Sequence, residues 1–242
     1  MKKKAAYFPA ALLLAAGIIC LAPEASAQRV GIVKNLPKYD HQPIHFGFTL
    51  GVNTSRFKTE LEDDYHYQDS VYVIEPSAVA GLNLGIISNI RIGKHFDLRF
   101  IPSLAFTQRN LEYTFKYTPN TEKAELKKVE STYLEFPIDL KFKSVRINNY
   151  RIYVLAGMKY AIDMVSQEKV HNTDKELIKL KDHDYGYEIG MGFDFYLTYF
   201  KFSPEIKMFH GIPNLVVKDG TRFSNPLRGL YSKVFVLSFT FE

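Results

Sequence analysis

The chain has a single cysteine, Cys20, and no tryptophan. Cys20 lies within an apolar stretch, residues 10–22, that follows the cationic start Met1, Lys2, Lys3 and Lys4. The stretch ends at Ala25, Ser26 and Ala27, a small-x-small pattern, so residues 1–27 read as a secretory signal peptide cut between Ala27 and Gln28. A lipoprotein reading would make Cys20 the acylated first residue. Such sites want a small residue just before the cysteine, and Ile19 stands there, so the small-residue site is preferred. The chain from Gln28 onward then has no thiol and can form no disulfide framework. It also lacks an apolar run approaching the roughly 20 residues a membrane helix needs. A structure that spans a membrane without such runs has to be a closed barrel. A strong charge excess is missing as well. Residues 1–27 hold three Lys and one Glu, and without them the formal net charge falls from +5 to +3. That mild balance does not argue for a nucleic-acid partner.

What is present is a period of two. Eight runs from residue 45 onward set an apolar parity against a small, polar or charged one: 45–54, 80–92, 96–109, 131–143, 151–164, 185–196, 200–210 and 230–242. In the first, Phe46, Phe48, Leu50 and Val52 oppose Gly47, Thr49, Gly51 and Asn53. In the second the alternation blurs near Ile87. In the last, Phe235, Leu237, Phe239 and Phe241 oppose Ser238 and Thr240. This end is like the aromatic C-terminal signal of outer-membrane barrels, although Glu242 stands where a Phe is usual. The connectors alternate too. Three are short (93–95, 144–150 and 197–199), and four are long and polar (55–79, 110–130, 165–184 and 211–229). Short turns on one side and long loops on the other predict an all-β, eight-stranded antiparallel transmembrane β-barrel of the outer-membrane type, over residues 45–242. The turns would be periplasmic and the loops extracellular. Residues 28–44, with Pro37 and Pro43, read as a periplasmic N-terminal arm. Leu111, Tyr113, Phe115 and Tyr117 are read as continuing an odd-numbered apolar parity after the third run, which suits a ribbon standing above the lipid.

A water-soluble sandwich also alternates, with its apolar face turned inward. The turn–loop asymmetry favours the barrel, as do nearly unbroken apolar faces rich in aromatics. Tyr133, Tyr150, Tyr160, Tyr185, Tyr199 and Tyr231 lie near run ends and would form interfacial girdles. The opposite parity then faces the lumen. It carries Arg91, Asp97, Arg99, Glu135, Asp139, Lys141, Arg151, Lys159, Asp163, Glu188, Asp194, Lys201, Glu205 and Lys207. An eight-stranded barrel is just wide enough for side chains to fill. The expectation is a structural plug of paired charges, with a proton or ion path as the lesser alternative.

The case for chemistry is thin. Asp63, Asp64 and His66 in the first long connector, and Asp182, His183 and Asp184 in the third, could in principle activate water or a serine. No serine sits in a recognisable nucleophile context, no His or Asp spacing is diagnostic of a metal, and Gly190-Met191-Gly192 lies inside a strand rather than in a phosphate loop. No catalytic residue, cofactor or metal is therefore expected. Lys123, Lys127 and Lys128 form a basic loop that could touch anionic lipopolysaccharide.

Several stretches resemble the PorT family of the Bacteroidetes type IX secretion system: His45-Phe46-Gly47-Phe48-Thr49-Leu50-Gly51, Asn83-Leu84-Gly85-Ile86-Ile87-Ser88-Asn89, Phe96-Asp97-Leu98-Arg99-Phe100, Ser144-Val145-Arg146-Ile147-Asn148-Asn149-Tyr150-Arg151 and Phe202-Ser203-Pro204-Glu205-Ile206-Lys207. The resemblance implies a role in moving folded cargo proteins, marked by a C-terminal sorting domain, across the outer membrane. It brings no catalytic residues with it. Its implied partners are outer-membrane lipids and other secretion subunits. The competing expectation is a barrel whose long loops engage a ligand or host molecule at the cell surface.

Overall fold

The computed structural model describes residues 33–62, 71–118, 121–165 and 178–242. Nine strands form among them: β1 (Ile44–Leu61), β2 (Val71–Arg91), β3 (Phe96–Phe100), β4 (Ser103–Thr118), β5 (Thr121–Lys143), β6 (Tyr150–Asp163), β7 (His183–Tyr196), β8 (Lys201–Gly211) and β9 (Leu227–Phe241). All neighbouring pairs are antiparallel, and β1 pairs with both β2 and β9, so the sheet closes into a ring. The closing register sets Phe48 opposite Phe241.

Nine segments make eight staves. β3 and β4 are one stave interrupted at Ile101 and Pro102, and their register against β2 is unchanged across the gap, with Ser88 opposite Phe100 and Gly85 opposite Ser103. The interruption follows from Pro102, which has no N–H to give the ladder. Its carbonyl still accepts from Ile86, and the N–H of Ile101 reaches the carbonyl of Pro137.

The alternation resolves the choice between barrel and sandwich. Phe46, Leu82, Ile86, Met158, Met191 and Ile206 are all more than half exposed, while Arg99, Lys141, Asp139 and Asp194 are fully buried. A soluble sandwich cannot leave such a contiguous apolar belt in water and seal its charges away. An apolar wall around an ionic lumen suits a barrel in lipid.

At one end the staves join through tight turns. In the one after β5, Ile147 and Tyr150 exchange two backbone hydrogen bonds of 3.0 and 3.1 Å around Asn148 and Asn149. Asn148 takes a left-handed φ of 52°, a conformation asparagine tolerates better than most residues. At the other end much of what reads as long polar loop is strand. β1 runs to Leu61, and β4 and β5 are separated only by residues 119–120. This ribbon rises above the apolar belt.

Two expectations are corrected by the facing of these strands. Leu111, Tyr113 and Phe115 do not continue the apolar wall, because the wall of this stave is even-numbered (Phe96, Leu98, Phe100, Leu104, Phe106). They keep the lumen-facing parity of Asp97 and Arg99, and it is the chemistry of that parity that turns apolar. Tyr117's side chain lies outside the described residues. Tyr133 is not an interfacial girdle residue, being 2% exposed and turned inward. Tyr150, Tyr160, Tyr185 and Tyr199 do face outward.

Candidate functional site

The residues that could do something in this molecule lie in the lumen, stacked in three layers from one end to the other. The lowest is made by the arm. A single 3-10 turn, Tyr39–His41, tucks under the short-turn end. The Tyr39 hydroxyl donates to Glu242 at 2.8 Å, and its ring stacks on His45 with centroids 4.0 Å apart. Asp40 accepts from Arg151 at 3.0 Å and lies 3.5 Å from Arg146. Burial alone would raise the Asp40 carboxyl, but the two guanidiniums outweigh it and hold its pKa below the usual range. The N–H of Asn35 donates to the Asn149 side chain at 2.9 Å, the Arg146 guanidinium donates to the Asn35 carbonyl, and Arg146 lies 3.7 Å from the centroid of the Tyr196 ring. The arm is thereby bound to the turn after β5 and to the ends of β7 and β9.

The middle layer is ionic. Arg99 bonds Glu205 at 2.7 Å and Glu242 at 3.2 Å. Lys141 meets Asp194 at 2.9 Å and stands over the Tyr153 ring, whose hydroxyl donates to Glu205 at 2.7 Å. Lys143 pairs with Asp97, Lys159 with Glu135 at 2.8 Å, and Lys201 with Glu242 at 3.0 Å. Lys207 sits among Glu188 at 3.4 Å, Glu205 at 3.6 Å and Asp139 at 4.0 Å. Charges taken out of water persist only when paired in this way. Room for so many long side chains comes from small residues on the same parity. At Gly192 the Tyr153 ring lies where a Cβ would stand. The void lined by Arg109, Tyr133, Glu135, Lys159 and Asp184 measures about 10 Å³, space for about one water.

The upper layer is an apolar cap. Phe57, Ile74, Leu111, Tyr113 and Phe115 from the risen strands pack with Ile178, Leu180, Leu215, Val216, Phe223, Leu227 and Leu230. The segment between β8 and β9 folds over the opening. Its Leu215 bonds Leu230 and accepts from Lys181, and the carbonyl of Phe223 accepts from the Tyr113 hydroxyl at 2.9 Å. Asp219 shapes its turn by accepting from Ser224 and Thr221. Burial acts against the Asp219 carboxylate, and those bonds outweigh it to lower its pKa.

Of the fourteen lumen residues read from sequence, eleven enter the ion pairs of the middle layer and Arg151 joins the arm. Arg91 is half-buried at the turn after β2, where its Nε donates to the Gly93 carbonyl at 3.1 Å. Asp163 is buried but serves its own turn, accepting from the N–H of Val165. Sequence reasoning missed Glu242 and Tyr153, and it set Lys143 on the charged face of its run without counting it in the network. Parity marks Lys143 and Tyr153 as inward; Glu242 carries no such mark, because it reads as a break in an aromatic pattern. Ala27, Gln28, Asp63, Asp64 and His66 lie outside the described residues.

The second acidic group does not converge. His183 points outward, stacked on Tyr160, with Nδ1 2.8 Å from the Tyr160 hydroxyl and Nε2 3.5 Å from Asp182. The next residue, Asp184, points inward and is buried. Consecutive strand residues face opposite sides, which separates the two. Among the described residues no group of His, Cys, Asp and Glu gathers as a metal site. Lys127 lies over the Phe223 ring at 4.3 Å and 3.8 Å from Glu125, so it belongs to the cap.

A closed antiparallel ring with a lipid-facing belt, one end of short turns and a packed ionic lumen defines an outer-membrane β-barrel. The chain belongs to the outer membrane protein beta-barrel domain family, which matches residues 27–217. The protein is accordingly one of the outer membrane. Similar solved structures include Neisserial surface protein A (11% identity, 82% of this chain and 98% of that one, TM-score 0.42). Another is the outer membrane protein OprG of Pseudomonas aeruginosa (11%, 81% and 92%, 0.42). A third is the outer membrane protease OmpT of Escherichia coli (10%, 83% and 95%, 0.44). No curated protein matches the chain.

Proposed function

We propose that this barrel is a non-enzymatic component of type IX protein secretion, an accessory or assembly factor needed for cargo proteins to cross the outer membrane. The resemblance to PorT suggests the system. The observation that shapes the role is the filled lumen: fully buried Arg99, Lys141, Asp139 and Asp194 occupy the space through which cargo would have to pass. The barrel therefore acts by what it touches. Another subunit supplies the pore, and the surfaces on offer are the docked arm, the short turns and the outer wall. Residues 1–27 are read as its signal peptide, removed between Ala27 and Gln28. Deleting the gene is expected to trap cargo bearing the C-terminal sorting domain in the periplasm. Normal export from the deletion strain would end this reading.

A second reading draws on the cap. The risen β4–β5 ribbon and the folded segment before β9 share an apolar core above the belt, which gives the extracellular end a fixed shape. Such a platform could bind a surface ligand. Exchanging connectors 55–79 and 165–184 would then abolish binding and leave cargo export intact, whereas unaffected binding would count against it.

A further inference from the structure

On the outer wall the strand register sets three basic residues side by side. His210 of β8 is opposite Lys233 of β9, and Lys233 is opposite Arg56 of β1. They share the lipid-facing parity with Met208, Phe235 and Thr54, which form the next row down. Cross-strand neighbours stand about 5 Å apart at Cβ, where like charges destabilise a sheet. The usual remedy is a carboxylate, and the structure shows it one step higher. Lys58 reaches Glu60 at 3.2 Å and leans over the Tyr231 ring. Arg56 and Lys233 have no carboxylate within ion-pair distance among the described residues. Lys233 rests near the Phe235 ring, 5.7 Å from its centroid.

Height identifies what lies beside the row. Phe202, Phe241 and Phe48 are opposite one another near the short-turn end. The basic row is eight residues further along each of these three strands, about 26 Å at strand spacing. Barrel tilt shortens that to about 20 Å, close to the height of the apolar band of such barrels. The row therefore meets the headgroups of the outer leaflet. Tyr187 extends it on β7, opposite His210 with ring centroids 5.4 Å apart.

We propose that Arg56, Lys233 and His210 form a site on the barrel wall for the phosphate of an outer-leaflet lipid, with its acyl chains lying down over Phe235, Leu237 and Val52. Arginine offers a planar fork that suits a phosphate, lysine adds a point charge, and the phosphate offsets the cation–cation repulsion that the fold leaves uncompensated. This inference does not depend on the secretion reading.

The test uses the full processed chain in phosphatidylcholine nanodiscs doped with phosphorylated or dephosphorylated lipid A, with retained lipid measured by native mass spectrometry after extraction. Wild type is expected to retain the phosphorylated form at least tenfold over the dephosphorylated one. Arg56→Ser/Lys233→Ser is expected to lose that preference while keeping the heat-modifiable gel shift of a folded barrel. Excess inorganic phosphate is expected not to displace the lipid. Equal retention by wild type and double variant, indifference to the lipid's phosphates, or displacement by inorganic phosphate would each overturn the proposal. If the double variant does not fold, the wild-type comparison of the two lipids decides alone.

Discussion

Arg99 shows how this interior is held. A guanidinium with no exposed surface is costly, and here it is met by two carboxylates from the far wall, Glu205 at 2.7 Å and Glu242 at 3.2 Å. Removing one side of such a cluster leaves the other charged and dry, a loss of about 3–5 kcal/mol. Arg99→Ala is expected to lower stability by that order, read from urea unfolding of the detergent-refolded barrel; an unchanged midpoint would make the cluster incidental to stability. Arg99 was legible from parity alone. Its partner Glu242 was not, and neither was Tyr39, which lies on an arm with no periodicity to read. Asp40, on the same arm, sets a pH dependence. Its carboxyl is held below its ordinary value of 3.8, so the stability it contributes is present above that value and is lost as pH falls through the depressed one. Hydrogen exchange of residues 34–43 should stay slow as pH drops through the ordinary carboxylate range and rise only at stronger acid. With Asp40→Asn, exchange should be fast at neutral pH too.

Elements carry the next level of organisation, and the third stave displays it best. From Asp97 to Arg109 its inward parity is mostly polar, and from Leu111 to Phe115 the same parity is apolar, with no change in backbone direction. A period of two fixes which residues share a face but not what that face meets. The ring of strands and the ribbon above it were therefore readable, while the inward facing of Leu111, Tyr113 and Phe115 that builds the cap was not. Tyr133 was misassigned for the same reason: a tyrosine near a run end suits either a lipid interface or a buried partner for Arg109, whose guanidinium lies 5.1 Å from its ring. The split at Pro102 likewise follows from backbone hydrogen bonding, which parity does not see. The cap depends on Phe223, fully buried and edge-on to Tyr113 with centroids 5.2 Å apart. Phe223→Ala should cost the cap about 3–5 kcal/mol. Limited proteolysis should then cut within 211–227, while the ionic layer below keeps the gel shift of a folded barrel. Resistance equal to wild type would show that the cap does not rest on this ring.

Across the whole molecule, three layers of different chemistry fill one lumen: an arm tied by hydrogen bonds, a layer of ion pairs and an apolar lid. Each is sufficient reason for water not to run through, and they fail under different conditions. Acid is expected to free the arm by protonating Asp40, and cavity-making substitutions such as Phe223→Ala are expected to loosen the lid. A lumen filled this way leaves the two ends and the outer wall as the surfaces open to other molecules. Planar bilayers containing the purified protein are therefore expected to show no steady channel. Deleting residues 34–43 sharpens the point. That deletion removes Tyr39 and Asp40 and opens Arg146 and Arg151 to water, but Arg99, Lys141 and Asp194 keep their partners across the lumen. The truncated barrel should stay closed. A stable conductance appearing only after truncation would make the arm the plug and the ionic layer a hydrated passage, and would reopen the ion-path reading of the interior.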